Sequence, residues 1–428
     1  MMKRQGFYIL FFIPMFTACL ESPEMTTGIV NGKEKPTVVT DSTNLLHKDG
    51  ALIFQGELIS KGKGEIIKRG FFWSTVSNNP GRNDNDIAIS DVSLNVFKYE
   101  LKGASGGEKT YYWRAYAENS FGIEYGNVRS FKTPKIWEEK KQFSANPRGN
   151  GAIFYMNNKI YVTCGQLPWL QPVNNTWEYN IMNDDWNETE LLFPGVERIY
   201  PVAIAFENFS IIGTGLGAGG LLLKDFYLFN PLVPAKMWTE IITPDDFKVR
   251  RDATAFSLKG KGYIVGGLSQ GEILKDVWQY DVNIDNWEKI NDFPVEICEG
   301  ISISGNNRRF VGFGKSDDSK RMLWEYDEPN DTWIEFATLP VGVTKRIYSG
   351  VIVNNSVYIV DGDNHIWALD LNDITKTWKH KSDLPPEFLN IDGNGGDQTL
   401  IASEKSNSIY VGLGFSKLLY EYRPLWDN

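Results

Sequence analysis

From residue 135 to the end, the chain alternates short apolar runs with turns rich in Gly, Asn and Asp. Few stretches keep a helical period, so the pattern predicts short strands. Its clearest phrase runs from Arg251 to Pro294. An Arg precedes an apolar run and a turn, then come Tyr263-Ile-Val-Gly266-Gly267, a polar loop, Trp278-Gln-Tyr280-Asp, a turn and Trp287. This predicts four strands, over residues 253–258, 262–266, 276–280 and 287–290. The phrase recurs on a ladder of tryptophans, Trp137, Trp186, Trp238, Trp287, Trp333, Trp378 and Trp426, spaced 49, 52, 49, 46, 45 and 48 residues apart. A fixed period in this range marks repeated supersecondary units, and six intervals give six of them.

Residues 36–134 lack that period. The stretch from Tyr111 to Asn119 sets Tyr111, Trp113, Ala115 and Ala117 on one face and Tyr112, Arg114 and Tyr116 on the other, a period of two. With Trp73 in mid-segment and the closing Phe131-Lys-Thr-Pro134, this region resembles a fibronectin type III-like β-sandwich. The resemblance implies a spacer.

A chain that is 42% hydrophobic, with 40 Gly, suits a large all-β protein of tight turns. Its net charge of -10 argues against general affinity for nucleic acid. Lys3 and Arg4 precede an apolar run from Gly6 to Met15, which ends in Phe16-Thr17-Ala18-Cys19. The arrangement resembles a bacterial lipoprotein signal. That implies cleavage after residue 18, acyl chains on Cys19, and a mature charge of -10 - 2 = -12 once Lys3 and Arg4 are gone. Residues 19–35 then read as a flexible tether. The expected location is the bacterial cell envelope, with a lipid anchor in the outer membrane.

The recurring Gly pairs (Cys164-Gly165, Gly213-Thr-Gly215, Gly266-Gly267, Gly312-Phe-Gly314, Asp361-Gly362, Gly412-Leu-Gly414) and the aromatic third strands resemble the kelch repeat. The implied fold class is all-β, a fibronectin type III-like sandwich followed by a six-bladed kelch β-propeller over residues 135–428. Only six residues follow Tyr422, too few for a turn and a strand. The strand near Trp137 is therefore expected to complete the last blade, leaving Trp426 outside the ladder's structural role.

Aligning the units places an Arg before the first strand in four of them: Arg148, Arg198, Arg251 and Arg346. Glu299 and Asp397 take that place in the other two, and Arg-Ile-Tyr occurs twice, ending in Tyr200 and Tyr348. In a kelch propeller this position is expected to ring the channel mouth. Guanidinium groups converging there suit an anionic ligand; equally, each could brace a neighbouring blade. Trp169 stands outside the ladder, in a loop, and could offer a platform for a sugar or fold back as an anchor.

Three His and no metal-ligand spacing leave neither a metal nor a cofactor expected. The first reading is a non-catalytic binder of a carbohydrate or small acidic ligand, an anionic one included, with other envelope proteins as further partners. An alternative rests on similarity to the N-acetylneuraminate epimerase family, which would make Glu299 or Asp397 the acid or base of a sugar mutarotase. A protein-binding scaffold is the third reading.

Overall fold

The computed structural model describes residues 34–41, 47–48, 50–91, 93–316, 321–390, 399–403 and 407–427. The expected signal peptide, Cys19, almost all of the tether and Asp397 lie outside the described residues.

The N-terminal unit is two facing antiparallel sheets. Thr37–Thr40, His47–Lys48 and Val96–Leu101 all pair with the central Ala51–Ser60. In the second sheet Ile66–Ser74 and Thr110–Asn119 lie side by side, flanked by Asn85–Ala88, Gly122–Tyr125 and Arg129–Lys132. The period of two explains the packing: Tyr111, Trp113, Ala115 and Ala117 all turn into the core. Trp113 stacks on Phe54 of the opposite sheet, ring centroids 4.8 Å apart. Each such aromatic, fully buried, contributes roughly 1.5–3 kcal/mol. Tyr116, on the other face, is buried as well, under Phe72 at 4.3 Å.

Six four-stranded antiparallel sheets follow. Their inner strands are Ala152–Met156, Val202–Ala205, Thr254–Leu258, Ile301–Gly305, Ile347–Val353 and Thr399–Ser403. Each inner strand packs beside the next, and Thr399–Ser403 packs back on Ala152–Met156, so the sheets close into a ring of six blades. The third blade runs Thr254–Leu258, Lys261–Ser269, Glu272–Asp281, Asn286–Ile290. Its second and third strands are longer than the sequence pattern predicts, because they continue as a hairpin beyond a bulge at Gly266. Gly266 has a φ of 60° there, and a Cβ would fall 2.2 Å from the carbonyl oxygen of Ile297.

The tryptophan ladder owes its period to a repeated lock. Trp186, Trp287 and Trp333 open fourth strands and pack on Tyr179, Tyr280 and Tyr326 of the third, with centroids 5.1, 4.8 and 4.8 Å apart. Each Tyr hydroxyl donates to an aspartate across the intervening turn, Asp184, Asp285 and Asp331, at 2.7, 2.6 and 2.9 Å. In the sixth blade the fourth strand is Trp137–Glu139, paired with Leu419–Tyr422. Trp137 stacks on Tyr422 at 4.5 Å, which supplies the same lock from the opposite end of the repeat region.

Trp426 belongs to the other unit. It is buried in the sandwich core, 6.0 Å from the Phe131 ring, and its carbonyl accepts the N–H of Gly106 at 2.7 Å. With the last blade completed by Trp137–Glu139, the terminal segment is left to cover the sandwich.

Candidate acid–base site at the channel mouth

The ring encloses a channel walled by small residues, Ala203, Ala255, Ser302 and Gly350 among them. Ile153 and Leu400 complete the wall from the first and sixth blades. At one end the channel opens into a cavity of about 360 Å³ touched by all six blades. Its polar rim comprises Asn150, Tyr200, Asp252, Glu299, Arg346 and Tyr348.

Four of these occupy one repeat position, two residues before the inner strand. Asn150, Tyr200, Asp252 and Glu299 all adopt left-handed backbone conformations, with φ of 56, 57, 54 and 51°. Such a φ is disfavoured by roughly 1–2 kcal/mol for a residue with a Cβ. Cross-blade hydrogen bonds hold the conformation: Tyr200 N–H donates to Asn150 O at 2.7 Å and Glu299 N–H to Asp252 O at 2.9 Å. The turn delivers their side chains to the mouth.

The charges alternate around Asp252 and Glu299. Asp252 is 6% exposed and contacts the Arg251 guanidinium, which lies 5.4 Å from the Tyr200 ring centroid. Glu299 pairs with Lys315 at 2.9 Å and with Arg346 at 3.2 Å. Burial pushes the Asp252 carboxyl up to about 6; nearby Glu299 pushes the same way, and Arg251, Arg346 and Lys315 oppose. Desolvation wins because Asp252 has little water left to solvate its charge. A carboxyl poised near neutrality beside a second carboxylate is the arrangement general acid–base chemistry needs.

The sequence-selected residues divide. Glu299, Arg346, Tyr200 and Tyr348 come together at the mouth, and Arg251 stands directly behind it. Arg198 and Arg148 do not line it. Arg198 is fully buried between strands: Nη1 and Nη2 hold Asp225 at 2.7 and 2.6 Å, and Nε and Nη1 donate to the carbonyls of Val196 and Thr214. Its counterpart in the third blade is Arg250 rather than Arg251, with Asp276 held at 2.7 and 2.8 Å and carbonyls of Lys248 and Gly266 accepting. Arg148 is the first-blade member of that set, 3% exposed. The expected ring of four arginines thus divides: Arg148 and Arg198, with Arg250, lie four residues before their inner strands and brace blades, Arg251 stands one residue later behind the mouth, and Arg346 lines it. Trp169 is 58% exposed on its loop and does not line the mouth cavity, its indole N–H donating to Gln171.

Asp252 was not among the residues singled out from the sequence. The signal that finds it is its register with Glu299 and Asp397, each two residues before its inner strand. Cys164 and Cys298 are buried free thiols. No group of His, Cys, Asp and Glu among the described residues is arranged to hold a metal ion.

Comparison with known proteins agrees with this architecture. The Kelch motif matches residues 250–294. N-acetylneuraminate epimerase of Vibrio cholerae serotype O1 is 32% identical over 115 residues, covering 24% of this chain and 28% of that protein. N-acetylneuraminate epimerase 1 of Escherichia coli O6:H1 is 24% identical over 220 residues, covering 40% and 57%. Kelch repeat and BTB domain-containing protein 12 of Homo sapiens is 24% identical over 201 residues, covering 39% and 31%. The chain thus spans from about a quarter to just over half the length of these relatives. The solved structure of YjhT superposes with a TM-score of 0.53 at 13% identity, covering 65% of this chain and 95% of that one, a likeness of fold. The repeat region is a kelch-type β-propeller, related in sequence to kelch proteins and to N-acetylneuraminate epimerases.

Proposed function

We propose that the channel mouth binds an anionic sugar and catalyses exchange between its anomers without a cofactor. The observation that carries this is the placement of Asp252, buried with its pKa pushed up to about 6, beside Glu299 in a cavity of about 360 Å³. Arg346, on the rim, supplies the cation that a sugar carboxylate would meet, while Arg251 stays paired with Asp252. Asp252 gives a proton to the ring oxygen as Glu299 takes one from the anomeric hydroxyl. The ring C–O bond breaks to leave an open-chain carbonyl. After rotation the ring oxygen adds to the other face, and the two protons return. Two of the relatives are named as N-acetylneuraminate epimerases, which supports sugars of that class as the first substrates to try.

The test is anomer exchange of N-acetylneuraminate followed by NMR, with binding measured in parallel. Exchange that vanishes in Asp252→Asn and Glu299→Gln is the expected result. Binding with unaltered exchange would return the site to a non-catalytic carbohydrate binder, and absence of both would sink the reading.

We also propose that Cys19 carries the lipid anchor and that residues 19–35 tether the protein to the outer membrane. The sandwich, whose strand order supports a fibronectin type III-like module, would act as the spacer that lifts the propeller from the headgroups.

A further inference from the structure

Arg148 differs from its two repeat counterparts in what surrounds it. Arg198 and Arg250 each hold a carboxylate with two nitrogens and donate Nε–H to the carbonyl two residues back. In the first blade the residue at the carboxylate's place is Asn175. Its amide oxygen accepts from Arg148 Nη1 at 2.6 Å, and its Nδ2 donates to Glu188 at 2.7 Å. The nearest carboxylate is therefore one amide removed. No carbonyl takes the part that Val196 and Lys248 play in the next two blades, and the buried Arg148 Nε has no hydrogen-bond partner. A guanidinium that is 3% exposed thus lacks the counter-charge the fold supplies twice elsewhere. Burial without a paired carboxylate lowers its pKa to about 10.

A separate cavity of about 380 Å³ lies against Arg148. Asn146, Asn174, Asn175 and Lys417 line it, with exposed Glu197 on its rim. It shares no lining residue with the channel mouth. We propose that this cavity is a second binding site, which takes a small oxyanion (a carboxylate, phosphate or sulfate) as the missing partner of Arg148. Lys417 adds a second positive charge, and the amides of Asn146 and Asn174 offer neutral donors. Asn175 engages only Nη1, so Nε–H is the guanidinium donor left for a planar or tetrahedral oxyanion to meet. Sources as different as a free ion and the acid group of a sugar share this chemistry.

The experiment is calorimetric titration of the full chain with inorganic phosphate, and separately with glucuronate, at constant ionic strength. Wild type is compared with Asn175→Asp/Glu188→Gln. That pair restores the arrangement of the second and third blades without setting two carboxylates side by side. Wild-type binding that falls at least tenfold in the double variant is expected, and the variant should gain thermal stability in the absence of the anion. Arg148→Gln should also lose binding. If it fails to fold, the double variant alone decides. Phosphate binding with no glucuronate binding assigns the site to free inorganic ions, and binding of both to a carboxylate-bearing ligand. No binding of either, or equal binding by the double variant, would overturn the proposal. Channel-mouth sugar binding is unaffected by these substitutions, so the two sites fail separately.

Discussion

Glu299 donates its backbone N–H to the carbonyl of Asp252 at 2.9 Å, so two carboxylate-bearing residues of neighbouring blades are fixed at one edge of the channel mouth. The backbone fixes how the two residues stand to one another, which suits the two proton transfers proposed for this site.

Asp252→Asn should separate stability from activity. In the folded chain the Asp252 carboxyl keeps its proton up to about pH 6, whereas in the unfolded chain it loses it near 4. The folded state therefore binds the extra proton between these values, and wild-type stability falls as pH rises through that window. Asn cannot ionise. The variant is expected to be more stable than wild type by about 1–3 kcal/mol at pH 7–8. This advantage should shrink towards pH 4, and anomer exchange should be lost throughout. Urea unfolding at a series of pH values, beside the NMR assay, checks both halves; a pH-independent difference would remove Asp252 from the acid–base role.

Arg346→Gln should weaken anionic-sugar binding by about tenfold or more, the loss of one charge-assisted contact. Neutral-sugar binding and the thermal midpoint should change little, because its pair with Glu299 is 44% exposed on the Arg side. Equal losses for neutral and acidic sugars would show that Arg346 shapes the mouth rather than reading charge.

Arg198→Gln should behave in the opposite way. Removing a fully buried guanidinium strands Asp225 and two carbonyls, so a loss of about 3 kcal/mol in stability is expected. Sugar affinity of the folded fraction should be unaltered. A chemical-denaturation curve superimposing on wild type would refute the bracing role.

Trp426→Ala should loosen the sandwich before the propeller. The substitution leaves a hole beside Phe131, at a cost of about 3 kcal/mol or more. Limited proteolysis should then cut within residues 36–134 first, while the kelch blades stay protected. Simultaneous cleavage of both units would show that Trp426 serves the propeller core too.

The blades were readable in the sequence because their determinants are local. A Gly pair that needs unusual φ, an aromatic third strand and a Trp on the next strand all fall within one repeat. The site was only partly readable. Arg250 and Arg251 are chemically identical neighbours, and a slip of one residue decides which is walled in beside Asp276 and which stands behind Asp252. No local pattern resolves that slip, because it depends on where the inner strand begins relative to the next blade. The pKa of Asp252 was likewise invisible, since it arises from burial among residues far apart in the chain.

By itself, then, the sequence determined a chain of six like blades behind a separate β unit, through side-chain periodicity and turn chemistry that act over a few residues. Only the tertiary structure decided that Trp426 joins the sandwich core, that Arg148 is buried without a carboxylate, and that Asp252 meets Glu299 at the mouth. Those outcomes depend on desolvation and on cross-blade hydrogen bonds, which exist only once the ring has closed.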